Sequence, residues 1–225
     1  MIKIQNYDKE KQKIELISDM SISMANAIRR SVLEIPTMAI DEVEIAQNDS
    51  ALFDEILAHR IGLIPIKTNK VSGKELKFKL QKSGPGTVYS TDFSPSTGVD
   101  YKLPLVILDD EQGLELVATA KLGKGVEHIK YSPGLIYYKH HLNGKEEKML
   151  DYVTIDENGK VIFDEEELKS AGVTDDQIKE IKKLDKIEEI KMVIESWGQM
   201  DVKEVFEKSI EVLEENLEEL NKAVK

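Results

Sequence analysis

Apolar and polar positions alternate at the start of the chain. Ile2 and Ile4, then Ile14 and Leu16, fit two short strands, and the polar run Tyr7 to Gln12 between them predicts a hairpin. The period then changes. Met24, Ala27, Ile28, Ser31, Val32 and Ile35 recur at helical spacing, Ser21 or Ser23 can cap the segment, and Pro36 stops it. Met38, Ile40, Val43 and Ile45 read as a strand whose phase slips at a bulge. Asp49 or Ser50 opens a second helix, Ala51 to Ile61, with Gly62 as its C-terminal cap before Leu63-Ile64-Pro65-Ile66.

From Lys74 to Leu142 the pattern is β throughout. Leu76, Phe78 and Leu80 alternate, and Leu103 to Leu108 and Leu114 to Ala120 are further strands. Asn158-Gly159, set between Thr154-Ile155 and Val161-Ile162-Phe163, signals a two-residue hairpin. Two short polar helices follow. Asp164 with Glu167, and Thr174 with Gln177, have capping-box spacing, and Gly172 separates them. A strand from Ile187 to Ser196 leads through Trp197-Gly198 to a last helix, which Asp201 opens in a capping box with Glu204 while Met200 and Val205 form a hydrophobic staple. On that helix Phe206, Ile210, Leu213, Leu217, Leu220 and Val224 repeat at four and three residues. The seam runs along a helix about 36 Å long at 1.5 Å per residue. A seam this long and regular is expected to pack on its own domain and on a partner helix as well.

Composition narrows the chemistry. The chain has 225 residues, a formal charge of -12 and no cysteine. Disulfides, thiolate zinc sites, iron–sulfur clusters and cysteine nucleophiles are thereby excluded. His59 and His128 stand alone, and His140 and His141 would point to opposite faces of a strand, so the histidines make a poor metal set. No nucleophile elbow is present. The acidic balance opposes strong unaided nucleic-acid binding. No apolar run reaches the roughly 18 residues needed to span a bilayer, and the first twenty residues lack a secretory apolar core. A soluble, cytoplasmic protein without catalytic residues, metal or cofactor is expected.

The stretch from Ser23 to Ile66 carries a family resemblance. Ala25-Asn26-Ala27-Ile28-Arg29-Arg30, Ile40-Asp41-Glu42-Val43-Glu44-Ile45, and Asp54-Glu55-Ile56-Leu57-Ala58-His59-Arg60-Ile61-Gly62-Leu63-Ile64-Pro65 occur in order. They resemble the family of the bacterial RNA polymerase alpha-subunit N-terminal domain, the D polypeptide of archaeal RNA polymerases and the third-largest subunit of the eukaryotic nuclear polymerases. Gly123-Lys124-Gly125-Val126-Glu127-His128-Ile129-Lys130-Tyr131-Ser132-Pro133 and Glu195-Ser196-Trp197-Gly198 are similar to further segments of the archaeal and eukaryotic branch. Taken alone, Gly123-x-Gly125 resembles part of a nucleotide loop. It lacks the third glycine and has histidine at 128, and a glycine-shaped turn between strands is the physical alternative.

The resemblance implies an α+β fold. A discontinuous dimerisation domain, residues 1–42 and 187–225, would carry an inserted β-rich domain, residues 43–186. Relatives often hold a ferredoxin-like insertion near 156–185, whereas this segment has no cysteine and so no cluster. The implied function is a non-catalytic assembly platform of archaeal RNA polymerase. It would pair with subunit L through Met24, Ala27, Ile28, Phe206, Ile210, Leu213, Leu217 and Leu220, and then receive subunits N and P and the large catalytic subunits. Arg29 and Arg30 are either solvated, or paired with acids such as Glu34, or in contact with a large subunit. Lys67, Lys70, Lys74, Lys77, Lys79 and Lys82 make a local basic stretch that reads first as a solvated face. The competing class is a self-associating coiled-coil adaptor, which accounts for residues 201–225 but leaves the Arg-Arg and Leu-Ile-Pro motifs unexplained.

Overall fold

The computed structural model describes residues 2–68, 75–142, 152–155, 161–182 and 189–224. Strands β1 (Ile2–Asp8) and β2 (Lys13–Ser18) form the expected antiparallel hairpin, with a register shift between Ile4 and Asn6. Helix α1 (Ile22–Ser31) follows, capped by the Ser21 hydroxyl, which accepts from the Met24 N–H, and a 3-10 turn, Val32–Glu34, runs into Pro36. Ala25, Ile28, Val32 and Ile35 are buried at three- and four-residue spacing, which is the inward stripe of an amphipathic helix.

Strand β3 (Thr37–Asn48) breaks register between Ile40 and Glu42 and again between Ile45 and Gln47. The first break is the expected phase slip, and it falls on Asp41. The second helix starts later than its sequence pattern implies. α2 spans Asp54–Gly62, because the polar residues ahead of it are engaged elsewhere. Asn48 bonds Ser50, Leu52 and Asp54, while the Asp49 carboxylate accepts from Gln47 and from the Gly113 N–H. These local bonds compete with helix formation, as short polar side chains do. Gly62 ends the helix in helical conformation and Leu63 is the C-cap, so no left-handed glycine cap is used.

Strands β4 (Leu76–Ser83), β5 (Gly86–Tyr89), β6 (Pro104–Leu108) and β7 (Gly113–Gly123) make up the β-rich centre. β7 lies between β3 and β4, and β5 pairs with β6. Their inward residues, with Leu57 and Ile61 from α2, make one apolar core around Met38, Phe78, Leu80 and Leu116. Lys77 and Lys79 alternate outward on β4, and Lys82 is tied to Asp92 at 2.6 Å; Lys70 and Lys74 lie outside the described residues.

Strand β8 (Gly134–His140) leaves this region and joins the terminal sheet, whose order is β1-β2-β11-β8 with β11 spanning Ile190–Ser196. A second core forms there from Ile14, Leu16, Ile28, Ile136, Met192 and Ile194. Residue 42 falls within β3, and β11 follows residue 187. β8 belongs to the terminal sheet by pairing, and Met38 and Ile40 pack in the β-rich core. A period-2 pattern shows that a strand exists but not which sheet it joins.

A third, small core lies in residues 152–182. β9 (Thr154–Ile155) pairs with β10 (Val161–Ile162); the Asn158-Gly159 turn expected between them lies outside the described residues. α3 (Glu165–Ser170) is capped by Asp164, and α4 (Asp175–Ile181) by a Thr174–Gln177 capping box, with Gly172 between them at φ +86°. Leu168, Val173, Ile178 and Ile181 are buried together against Leu142 and Phe163. The two helices that look polar in sequence thus keep an apolar side, and that side holds this segment together.

The last helix, α5, spans Val202–Val224. Met200 and Val205 are both fully buried, as a staple requires. Its first N–H groups find two acceptors: the Asp201 carboxylate takes the Lys203 N–H, and the Gln12 side chain of the β1–β2 turn takes the Val202 N–H. Glu204 is paired with Lys208 at 3.0 Å. Among the described residues, no helix is long and apolar enough to cross a membrane.

Candidate subunit interface

α1 and the start of α5 pack together on one face of the terminal sheet. The stripe of α5 that meets this core is Val202, Val205 and Ser209, with Val212 and Leu213 half covered. The seam expected from sequence lies beside that stripe. Phe206, Ile210 and Leu213 are partly buried, while Leu217 is 56% and Leu220 60% exposed, and Val224 more so. The helix is therefore clothed by its own chain over its first half and bare over its second.

On α1 the expected residues separate. Met24 is 49% exposed and Ala27 is half-buried, but Ile28 is only 3% exposed and belongs to the chain's own core. Ile28 cannot present a surface without unfolding the helix from its sheet. Ile22 is 52% exposed and lies near Met24 at the same helix end, a residue that helical spacing alone does not single out. Nor does the alternation of Ile2 and Ile4 reveal them as surface residues. Register places them on the sheet face shared with Ser18 and Leu16, yet β1 is an edge strand and both remain exposed.

The Arg pair divides too. Arg29 is half-buried and donates from Nε and a terminal nitrogen to the Asn26 side-chain oxygen at 3.1 and 2.9 Å. Arg30 is exposed and makes no hydrogen bond or ion pair among the described residues. Glu34 is no partner to either. It accepts instead from Asn216 at 3.2 Å, which ties the end of α1 to the middle of α5.

The glycine motif has a structural use. A Cβ at Gly123 would meet the Tyr131 ring at 2.7 Å, and one at Gly125 would meet Leu33 at 3.1 Å. The His128 ring nitrogen accepts from the Lys130 N–H and so caps the 3-10 turn Ile129–Tyr131. That turn brings Lys130 Nζ within 2.8 Å and the Tyr131 hydroxyl within 3.0 Å of Asp41 Oδ1 on the β3 bulge. Lys121 completes the group at 3.4 Å. The Lys130 ammonium is the main cause that holds the Asp41 carboxyl down at about 2, against the opposing effect of burial. Burial, reinforced by the Asp41 charge, pushes the Tyr131 hydroxyl up to about 12. Asp41 thus stays ionised and fastens the loop to the strand.

The Glu195-Ser196-Trp197-Gly198 segment is a joint. The Ser196 hydroxyl donates to the Met200 carbonyl at 2.6 Å and accepts from the Gly198 N–H at 3.0 Å. Gly198 sits at φ +102°, in the left-handed region, and a Cβ there would come within 3.0 Å of Val99 and Tyr101. The Gln199 carbonyl then accepts from Thr68 N–H, and its side chain donates to Ser132 O. Terminal sheet, β-rich centre and α5 all meet in these few residues.

The chain matches the RNA polymerase Rpb3/Rpb11 dimerisation domain over residues 16–217. It is 31% identical over 227 residues to DNA-directed RNA polymerase subunit Rpo3 of Halobacterium salinarum, covering 93% of this chain and 91% of that protein. Against the subunit Rpo3 of Methanocaldococcus jannaschii the identity is 33% over 201 residues, covering 88% and 82%. Against that of Thermococcus kodakarensis it is 39% over 155 residues, and the match spans 62% of this chain and only 60% of that relative. A match over most of the chain, in an α+β fold whose terminal segments come together, establishes that the chain belongs to the RNA polymerase Rpb3/Rpb11 dimerisation-domain family.

Proposed function

We propose that this chain is a non-catalytic assembly platform of an archaeal DNA-directed RNA polymerase, pairing with the smaller subunit L and then receiving subunits N and P and the large catalytic subunits. The observation that carries the reading is the bare second half of α5. Leu217, Leu220 and Val224 continue a stripe whose first half already packs on its own domain. An exposed apolar strip of this kind marks an association surface. Met24 on α1 is exposed and Ala27 half-buried, and Phe206, Ile210 and Leu213 on α5 are partly buried, so all five keep surface to offer a partner. The names of the relatives, polymerase subunits from archaea, point the same way.

The chemistry-bearing side chains support a platform rather than a catalyst. Asp41, His128, Lys130 and Tyr131 bind one another or cap a turn, and Ser196 is committed to the backbone of its own loop. The test is co-expression with subunit L from the same source, followed by pull-down and size-exclusion chromatography. A one-to-one complex that recruits a large subunit is the expected result. A chain that ignores L and forms a stable homodimer would overturn the reading in favour of a self-associating adaptor.

A further inference from the structure

The small core of residues 152–182 stands beside an open cleft of about 800 Å³. Tyr152 and Thr154, Ile162 and Phe163, and Asp164 and Glu167 line it. Leu168, Val173, Ile178 and Ile181 are buried in the core itself, and Val153 and Phe163 pack against it. Tyr152 and Ile162, by contrast, are 40% and 51% exposed and stand outside that core. Among the described residues, packing gives no reason for their apolar character.

The rim of the cleft is acidic. Asp164 caps α3, where its Oδ1 accepts from the Glu166 and Glu167 N–H groups. Glu165 is paired with Lys182 at 2.5 Å. Glu166 and Glu167 are exposed, and their carboxylates make no hydrogen bond or ion pair among the described residues. The described lysines nearby are all engaged: Lys182 with Glu165, Lys169 with Asp175 at 3.0 Å, and Lys179 with Asp176 at 2.9 Å. Lys145, Lys148, Lys160, Lys183 and Lys186 lie outside the described residues. Residues 143–188 nevertheless hold fourteen acids against eight lysines, so the segment is acidic as a whole. Acids in the first turn favour α3, but a helix dipole does not call for an apolar cleft beside them.

The two features together select an occupant. A small molecule would be enclosed on one side only, because the cleft is open. Nucleic acid, or a second copy of a chain whose charge is -12, would meet like charge. A polypeptide segment with large apolar side chains beside lysine or arginine covers the exposed pair and neutralises the carboxylates. We propose that the cleft beside β10 and α3 docks a basic segment of another protein, its apolar side chains against Tyr152 and Ile162 and its cations against Glu166 and Glu167. The site shares no residue with the helices assigned to pairing with L, so it stands or falls apart from that reading.

The probe is a fluorescein-labelled synthetic peptide of alternating leucine and lysine pairs, titrated with the full chain and read by fluorescence anisotropy. A leucine–glutamate peptide of the same length is the control. Saturable one-to-one binding of the leucine–lysine peptide alone is the expected result. Tyr152→Ser with Ile162→Ser should weaken it tenfold or more. Glu166→Gln with Glu167→Gln should weaken it several-fold at low salt and less at high salt. All four side chains are exposed, and an unchanged urea midpoint checks that the fold is kept. Leu217→Ala with Leu220→Ala is a further variant, because the bare half of α5 is also apolar and acidic; it should bind as the original chain does. Binding lost in that variant and kept in the cleft variants would put the peptide on α5 and overturn the inference. Full-strength binding by both cleft variants, equal binding of the leucine–glutamate peptide, or no binding to the original chain would overturn it as well. Sedimentation of the chain alone, and titration of a labelled DNA duplex, cover the other occupants. A dimer or a DNA complex that the Tyr152→Ser, Ile162→Ser variant abolishes would reassign the cleft and overturn the proposal.

Discussion

The two halves of α5 carry the same kind of residue at the same spacing and meet opposite fates. Val202 and Val205, near the start, are fully buried against the terminal sheet, whereas Leu217 and Leu220 stand more than half exposed. Helical periodicity states that a side is apolar, not what covers it. Coverage depends on where the sheet ends. The first half crosses the core built by Ile14, Met192 and Ile194, and the second runs past it. The bond from Asn216 to Glu34 ties α5 to the end of α1 just before the bare half begins.

This difference can be broken by substitution. Leu217→Ala with Leu220→Ala should leave the isolated chain within about 0.5 kcal/mol of its original stability, as exposed substitutions do. The same variant should weaken pairing with L by about 3 kcal/mol, the scale of interface anchors. Isothermal titration and chemical denaturation read the two quantities separately. Glu218→Gln on the far side of the helix serves as the control and should change neither. If the leucine variant pairs at full strength, the bare half of α5 is not the pairing surface.

Val205→Ala attacks the other half. Removing a fully buried valine side chain down to its Cβ should cost about 2 kcal/mol of chain stability through lost burial and the cavity left behind. Its effect on pairing should be smaller and follow from that loss. A urea titration of the isolated chain checks it, and an unchanged midpoint would mean that the first half of α5 is not packed as described.

Asp41→Asn should have the smallest effect, about 1 kcal/mol, because the carboxylate is a third exposed and solvent screens its ion pairs. The direction with pH is fixed by the lowered carboxyl. Folding holds Asp41 at about 2, below its ordinary 3.8, so its contribution is fully present above about 4 and is lost as the pH falls toward 2. The stability gap between the original chain and Asp41→Asn should therefore be open at pH 7 and narrow steadily below pH 4. A gap that stays constant down to pH 3 would show that Asp41 is not held ionised by Lys130.

Much of the fold can be read from residue spacing because local rules decide it. The β1–β2 hairpin, the Pro36 stop, the bulge in β3 and the Thr174 cap all depend on neighbours within a few residues. The start of α2 is misplaced by the pattern because two local rules compete there: Asp49 and Ser50 can cap a helix, but here Asp49 holds the start of β7 and Ser50 is bonded to Asn48. The membership of β8 is not legible, since its partner β11 is remote in sequence. At the interface, the seam on α5 shows itself by its large residues. The inward stripe is harder to see because Val202, Val205 and Ser209 are smaller. Ile28 reads as outward because Met24, Ala27 and Ile28 adjoin on one helix, and only the sheet beneath shows which of them it covers.

The terminal sheet joins strands remote in sequence: β2 lies in register with β11, Ile14 opposite Ile194. During synthesis β1, β2 and α1 leave the ribosome well before β11, the strand that completes their core. The β-rich centre, whose strands lie between Thr37 and Gly123, can close long before that. The helix that bears Leu217 and Leu220 follows β11. A chain cut short before β11 can hold a finished centre but lacks the strand that lies between β2 and β8 in the terminal sheet. Order of synthesis thereby leaves the terminal core, and the helix that crosses it, among the later parts to close.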